Sequence, residues 1–91
     1  MMTPEERMVA VRERLTAALA PERLEIVDQS AAHAGHASSG GAGHFVVDIV
    51  SAAFEGKGLV ARHRLVYGAL GELMQHEIHA VSMTVKSPGE V

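Results

Sequence analysis

Six histidines in a chain of 91 residues are the side chains best able to do chemistry here: His33, His36, His44, His63, His76 and His79. Imidazole is a borderline ligand that suits zinc, iron, copper and nickel. Cysteine is absent, so the chain offers neither a disulfide framework nor a thiolate. Three of the histidines, His33, His36 and His44, lie in or beside one glycine-rich stretch. The spacing H-x-x-H at 33 and 36 is a weak signature in a loop, unlike H-E-x-x-H on a helix, and solvated loop residues fit those positions as well. His79 stands at the start of a strand pattern, where a lone histidine is ordinarily a packed or surface residue. His76 reads as exposed at a helix end, where a cation suits the dipole.

A second cluster is basic: Lys57, Arg62, His63 and Arg64. It reads either as a patch for nucleic acid or an acidic partner, or as a solvated helix face with His63 packed at a sheet edge. Three fixed cations neutralise about three phosphates, which implies weak and salt-sensitive binding. The formal net charge of −3 opposes a general nucleic-acid binder, which is usually strongly basic. Glu55-Gly56-Lys57-Gly58 does not have the spacing of the GxxG loop that RNA-binding KH domains use. No Ser–His–Asp order, paired-carboxylate pocket or cofactor fingerprint is visible, so the chain does not read as an enzyme.

The elements that must position these groups follow from pattern. Thr3-Pro4-Glu5-Glu6 is a helix start: Thr3 caps, Pro4 suits the first helical position, and Glu6 has capping-box spacing. Met8, Val11, Leu15 and Leu19 recur at helical spacing and give one apolar face, with Arg7, Arg12 and Arg14 mostly elsewhere on the wheel. Pro21 ends this helix near Ala20. Leu24 to Asp28 reads as a strand. Ser30 to Gly43 is small, polar and glycine-rich, and reads as a flexible surface loop. Its length is unusual for a hairpin connection, and such loops are functional or disordered. His44 to Ser51 is the clearest strand, with Phe45, Val47 and Ile49 on one face. A second helix is predicted over about Leu59 to Met74, with Leu59, Val66, Leu70 and Leu73 as its buried stripe. Gly68 and Gly71 inside it cost about 1 kcal/mol each relative to Ala, and small residues there favour close packing on a sheet. Ile78 to Val85 reads as a third strand, and residues 86–91 as a frayed tail.

The order is α-β-β-α-β in an α+β fold: a three-stranded mixed sheet backed by two helices. The first two strands form an antiparallel hairpin, and the third arrives after a helical crossover and pairs parallel. At this length a single domain over 1–91 is expected, burying roughly 60–65% of the surface its unfolded chain exposes. Aromatics make up only 3% of the residues, so aliphatic side chains must build the core. The N-terminus MMTPEERMVAV lacks the features of a signal peptide, and no stretch is long enough to span a membrane. A cytoplasmic protein is expected, and the absence of cysteine fits that compartment.

Phe54 to Val81 carries a more specific signal. Phe54-x-Gly56-Lys57, then Arg62-His63-Arg64-Leu65-Val66-Tyr67, then Ile78-His79-Ala80 closely resembles the BolA family, and the likeness extends from about Glu6 to Met83. The resemblance implies a KH-like arrangement of class II type. It implies that His79, the histidine of the I-H-A motif, ligates iron. A loop histidine or cysteine supplies the family's second ligand; His36 and His44 both answer to it by position, with His33 a third. It implies a partner, a monothiol glutaredoxin, that contributes cysteine alongside glutathione to a bridged 2Fe-2S cluster, with no cofactor on the isolated chain. The role implied is cluster trafficking or iron-linked regulation. The family also includes transcriptional regulators of morphology and stress genes, which would use the basic, helix-turn-helix-like segment 56–74 on DNA. Alone, the chain is expected as a monomer or weak homodimer.

Overall fold

A computed structural model describes residues 2–29 and 43–91. The predicted flexible loop, with His33 and His36, lies outside the described residues except for Gly43. The observed order is α1 (Pro4–Leu19), β1 (Arg23–Asp28), β2 (Gly43–Val50), α2 (Leu59–Leu70), α3 (Leu73–His76) and β3 (Ile78–Lys86), with short 3-10 turns at Ala52–Phe54 and Pro88–Glu90.

Helix α1 starts as its sequence dictates. The Glu6 N–H donates to Thr3 Oγ1 at 3.1 Å, and the Thr3 N–H donates to Glu6 Oε1 at 2.8 Å. This reciprocal box satisfies two of the donors that a helix start leaves orphaned. The backbone hydrogen bond and then the side-chain hydrogen bond to Thr3 hold the Glu6 carboxyl below its ordinary range. At the other end Ala20 turns left-handed (φ 43) before Pro21. Val11, Leu15 and Leu19 are buried, as the apolar periodicity requires.

In the sheet, β2 is central. It pairs antiparallel with β1 from Arg23↔Val50 to Asp28↔Phe45, and parallel with β3 from Gly43↔Ile78 to Val50↔Lys86. Phe45, Val47 and Ile49 point from β2 into the core and are at most 1% exposed. They meet Val11, Leu15, Val66, Leu70 and Phe54. Burying each such side chain contributes about 1.5–3 kcal/mol. His44, Val46 and Asp48 on the opposite face are only half-buried. The buried Ser51 hydroxyl donates to the Leu19 carbonyl and so ties the end of α1 to the end of β2.

Five expectations need correction. The second helix does not run unbroken to Met74. It stops at Gly71, which adopts φ 53, and a separate turn, α3, follows. A positive φ ends a helix, and glycine enters that region without steric cost. Gly68 mediates no close packing either, since a Cβ there would meet no described atom within 4 Å. Leu59 is not in the buried stripe but 64% exposed, because it opens α2 beyond the edge of the core. Arg7 does not lie on the solvent side of α1; it is 3% exposed and pairs with Glu77. The tail is ordered over Pro88–Glu90, where Ser87 and Glu90 form a second capping box.

Candidate functional site

His79 owes its position to a defect in the sheet. Between two successive residues of β2, Gly43 and His44, the paired strand advances two places, from Ile78 to Ala80. His79 is the extra residue of a β-bulge, an arrangement rare between parallel strands and common beside functional sites. The cause is in the sequence. Ile78 is buried, and Val81, three places on, packs against the core. A regular strand turns residues three apart to opposite faces. One extra residue reconciles them and leaves His79 and Ala80 together opposite His44. His79 is exposed, and His44 is half-buried and held by the ladder of β2. The His44 carbonyl also accepts from the Gln29 N–H at 2.8 Å, at the end of β1. The structure therefore brings His44 and His79 to one end of the sheet, on neighbouring strands, next to the chain ends of segment 30–42. His76, exposed at the last turn of α3, stays apart from the ladder.

The residue before this bulge is firmly held. The buried Arg7 guanidinium meets Glu77 Oε1 from Nη2 at 3.3 Å and from Nε at 3.4 Å. Met2 N donates to the same oxygen at 3.2 Å. In the backbone, the Glu77 N–H donates to the Leu73 carbonyl at 2.8 Å, and its carbonyl accepts from the Gly43 N–H at 2.9 Å.

The basic cluster divides. Arg62 turns inward, its side chain 11% exposed. Its Nε donates to the Lys57 carbonyl at 2.8 Å, and its Nη1 to the Val85 carbonyl at 3.2 Å and to Glu90 Oε1 at 2.6 Å. The guanidinium carbon also stands 6.0 Å from the centre of the Phe54 ring. These contacts clamp the turn before α2, the end of β3 and the C-terminal turn together. The Ser87 N–H above all, then Arg62 and the Ser87 hydroxyl, hold the Glu90 carboxyl down at about 2. Lys57 and Arg64 are exposed, and His63 is half-buried. Arg62 therefore presents little of its charge to solvent.

The donor set says what a metal could find here. The described residues contain no group of three His, Cys, Asp or Glu side chains able to hold a metal ion. At the bulge the chain supplies imidazole, and nowhere a thiolate. Histidine is an accepted replacement for cysteine around iron–sulfur clusters. The residues therefore fit at most part of such a ligand set. Sequence reasoning singled out His79 and His44 but missed the bulge and the Arg7–Glu77 pair. The spacing of Ile78 and Val81, wrong for a regular strand, was the signal for the bulge. No helix among the described residues is long and apolar enough to cross a membrane.

Comparison with known proteins agrees with this architecture. The family described as BolA-like protein matches residues 15–90. Protein BOLA1, chloroplastic, of Arabidopsis thaliana is 47% identical over 90 residues, covering 94% of this chain and 56% of that protein. The DNA-binding transcriptional regulator BolA of Escherichia coli (strain K12) is 37% identical over 73 residues, covering 80% of this chain and 68% of its own length. Among solved structures, the BolA domain of SufE1 from Arabidopsis thaliana superposes with a TM-score of 0.82 at 43% identity, covering 99% of this chain and all of that one. The chain spans little more than half, or less, of the length of several curated relatives. Some of these relatives are named as BolA-like proteins, one as a SufE-like protein and one as a transcriptional regulator. On sequence, fold and strand order together, the chain belongs to the BolA family.

Proposed function

We propose that the protein is an adaptor that binds a monothiol glutaredoxin and shares a 2Fe-2S cluster with it, in iron–sulfur cluster trafficking or iron-linked regulation. The bulge carries this reading: it sets His79 out of the core, opposite His44, at one end of the sheet. Two imidazoles are half of a cluster's usual four ligands. The partner's cysteine and a glutathione thiolate would supply the rest, and mixed ligation of this kind raises the reduction potential. His79 and His44 are the proposed ligands from the described residues, with His36 and His33 as the alternatives to His44. The proposed compartment is the cytoplasm; Arabidopsis relatives carry chloroplastic or chloroplastic/mitochondrial in their names. The isolated chain is proposed to be a monomer or weak homodimer without cofactor.

Anaerobic reconstitution with a monothiol glutaredoxin and glutathione tests this, followed by visible absorption and circular dichroism. A spectrum distinct from that of the glutaredoxin homodimer is expected, and His79→Ala should abolish it. Separate alanine variants of His44, His36 and His33 identify the second ligand. An unchanged homodimer spectrum from the wild-type mixture sinks shared ligation.

A second reading, a DNA-binding regulator of morphology or stress genes, draws on the printed name of the Escherichia coli relative. Within segment 56–74, Lys57 and Arg64 are the exposed cations available for phosphate, since Arg62 is held internally. Arg64→Ala with Lys57→Ala should then weaken DNA binding and leave cluster binding intact.

A further inference from the structure

We infer that Arg7 and Glu77 are positioning residues for His79, and that their buried ion pair fixes the register from which the bulge is measured. This rests on the reading of His79 as a cluster ligand.

Glu77 stands two residues before His79 and is held by three elements at once. Its side chain is bound by Arg7 of α1, its N–H by the Leu73 carbonyl of α3, and its carbonyl by Gly43 of β2. The Arg7 Nη2 also donates to the Met2 carbonyl at 3.4 Å, and Met2 N donates to Glu77 Oε1. The first turn of α1 is thereby joined directly to the start of β3.

A bulge is a register irregularity, and a strand can relax it by sliding one residue. A one-residue slide turns every side chain to the other face and displaces the backbone by about 3.3 Å. Sliding β3 would bury His79 or Ala80 and expose a core residue. It would also pull Glu77 away from Arg7 by about the length of a hydrogen bond. The Arg7 residue is 3% exposed and the Glu77 side chain 11%, so separation leaves a charge unpaired in a nearly dry site, which is strongly destabilising. The pair thus resists the motion that would misplace the ligand. Stability alone is a weak account of it, because well-packed apolar replacements of buried ion pairs are often neutral or stabilising.

That last point supplies the experiment. Arg7→Met combined with Glu77→Met keeps buried volume and removes the pair; Arg7→Lys keeps the charge. Amide hydrogen exchange at Ala80 and Val81 is measured in the free full-length chain. Cluster lifetime is measured after reconstitution with a monothiol glutaredoxin and glutathione. In the folded double variant, exchange is expected to be about 10-fold faster and cluster lifetime about 10-fold shorter, the lower end of what outer-shell changes cost a metal site. Arg7→Lys should recover part of both. A folded double variant with wild-type exchange and lifetime overturns the inference. If the double variant does not fold, Arg7→Lys decides: faster exchange supports the inference and wild-type exchange overturns it. If the wild-type chain shares no cluster, the proposed function fails, while the exchange rates still decide whether the pair sets the bulge.

Discussion

Arg62 and Arg64 sit two positions apart on α2 and meet different surroundings. Arg62 makes three hydrogen bonds to otherwise separate segments, whereas Arg64 faces solvent. Arg62→Ala should lower stability in urea unfolding by about 1–3 kcal/mol, since it strands carbonyls and a carboxylate. Arg64→Ala should stay within about 0.5 kcal/mol. The Glu90 carboxyl is held at about 2, down from its ordinary 4.5. A depressed carboxyl stabilises above its unfolded value and loses that contribution as pH falls. The C-terminal turn should therefore release between about pH 4.5 and about 2, read as faster exchange of the Ser87 and Glu90 amides. In Glu90→Gln the turn should lose that pH dependence. The ordering of this tail was legible in principle: Ser87-Pro88-Gly89-Glu90 repeats the spacing of Thr3-Pro4-Glu5-Glu6. Proline and glycine together read as punctuation, and the partner that pins them, Arg62, lies too far back in sequence to be inferred. Arg7 was illegible for the same reason, with its partner 70 positions away.

Among the elements, Gly71 and Gly68 separate two uses of glycine. Gly71 has φ 53, and a Cβ there would stand 3.3 Å from Arg14 Nη1. Gly71→Ala should destabilise by about 1–2 kcal/mol, because the left-handed region is costly for any side chain. Gly68 lies within α2 with room around it, so Gly68→Ala should stabilise by up to about 1 kcal/mol. Thermal and urea unfolding of the two variants check the opposite signs. Sequence could not separate them, because Val66, Leu70 and Leu73 keep helical spacing straight across the break. By contrast, β2 was nearly complete in the sequence, since strict alternation of Phe45, Val47 and Ile49 suffices when one face is buried. The bulge lay between these extremes: its apolar residues were visible, but their spacing suggested only a strand.

On the scale of the whole molecule, the helices cover one face of the sheet, and the order α-β-β-α-β followed from patterns of a few residues each. What did not follow was the long-range wiring that joins the N-terminus to the start of β3 and the C-terminus to α2. The charge balance bears on the regulatory reading. With Lys57 and Arg64 as the exposed cations of the segment, DNA affinity should fall with salt at a slope of about −2 on logarithmic axes. A much steeper slope in filter binding would mean that cations elsewhere contribute. The bulge also has a consequence for association. β1 and β3 are the outer strands of the described sheet, and a long, regular outer strand invites a second chain to add to it. Charged Arg23, Glu25 and Asp28 blunt β1. On β3 the extra residue at His79 interrupts the even spacing of backbone donors and acceptors, so an incoming strand cannot stay in step along its full length. The irregularity that presents an imidazole thus also confines the regular edge of β3 to Ala80 through Lys86.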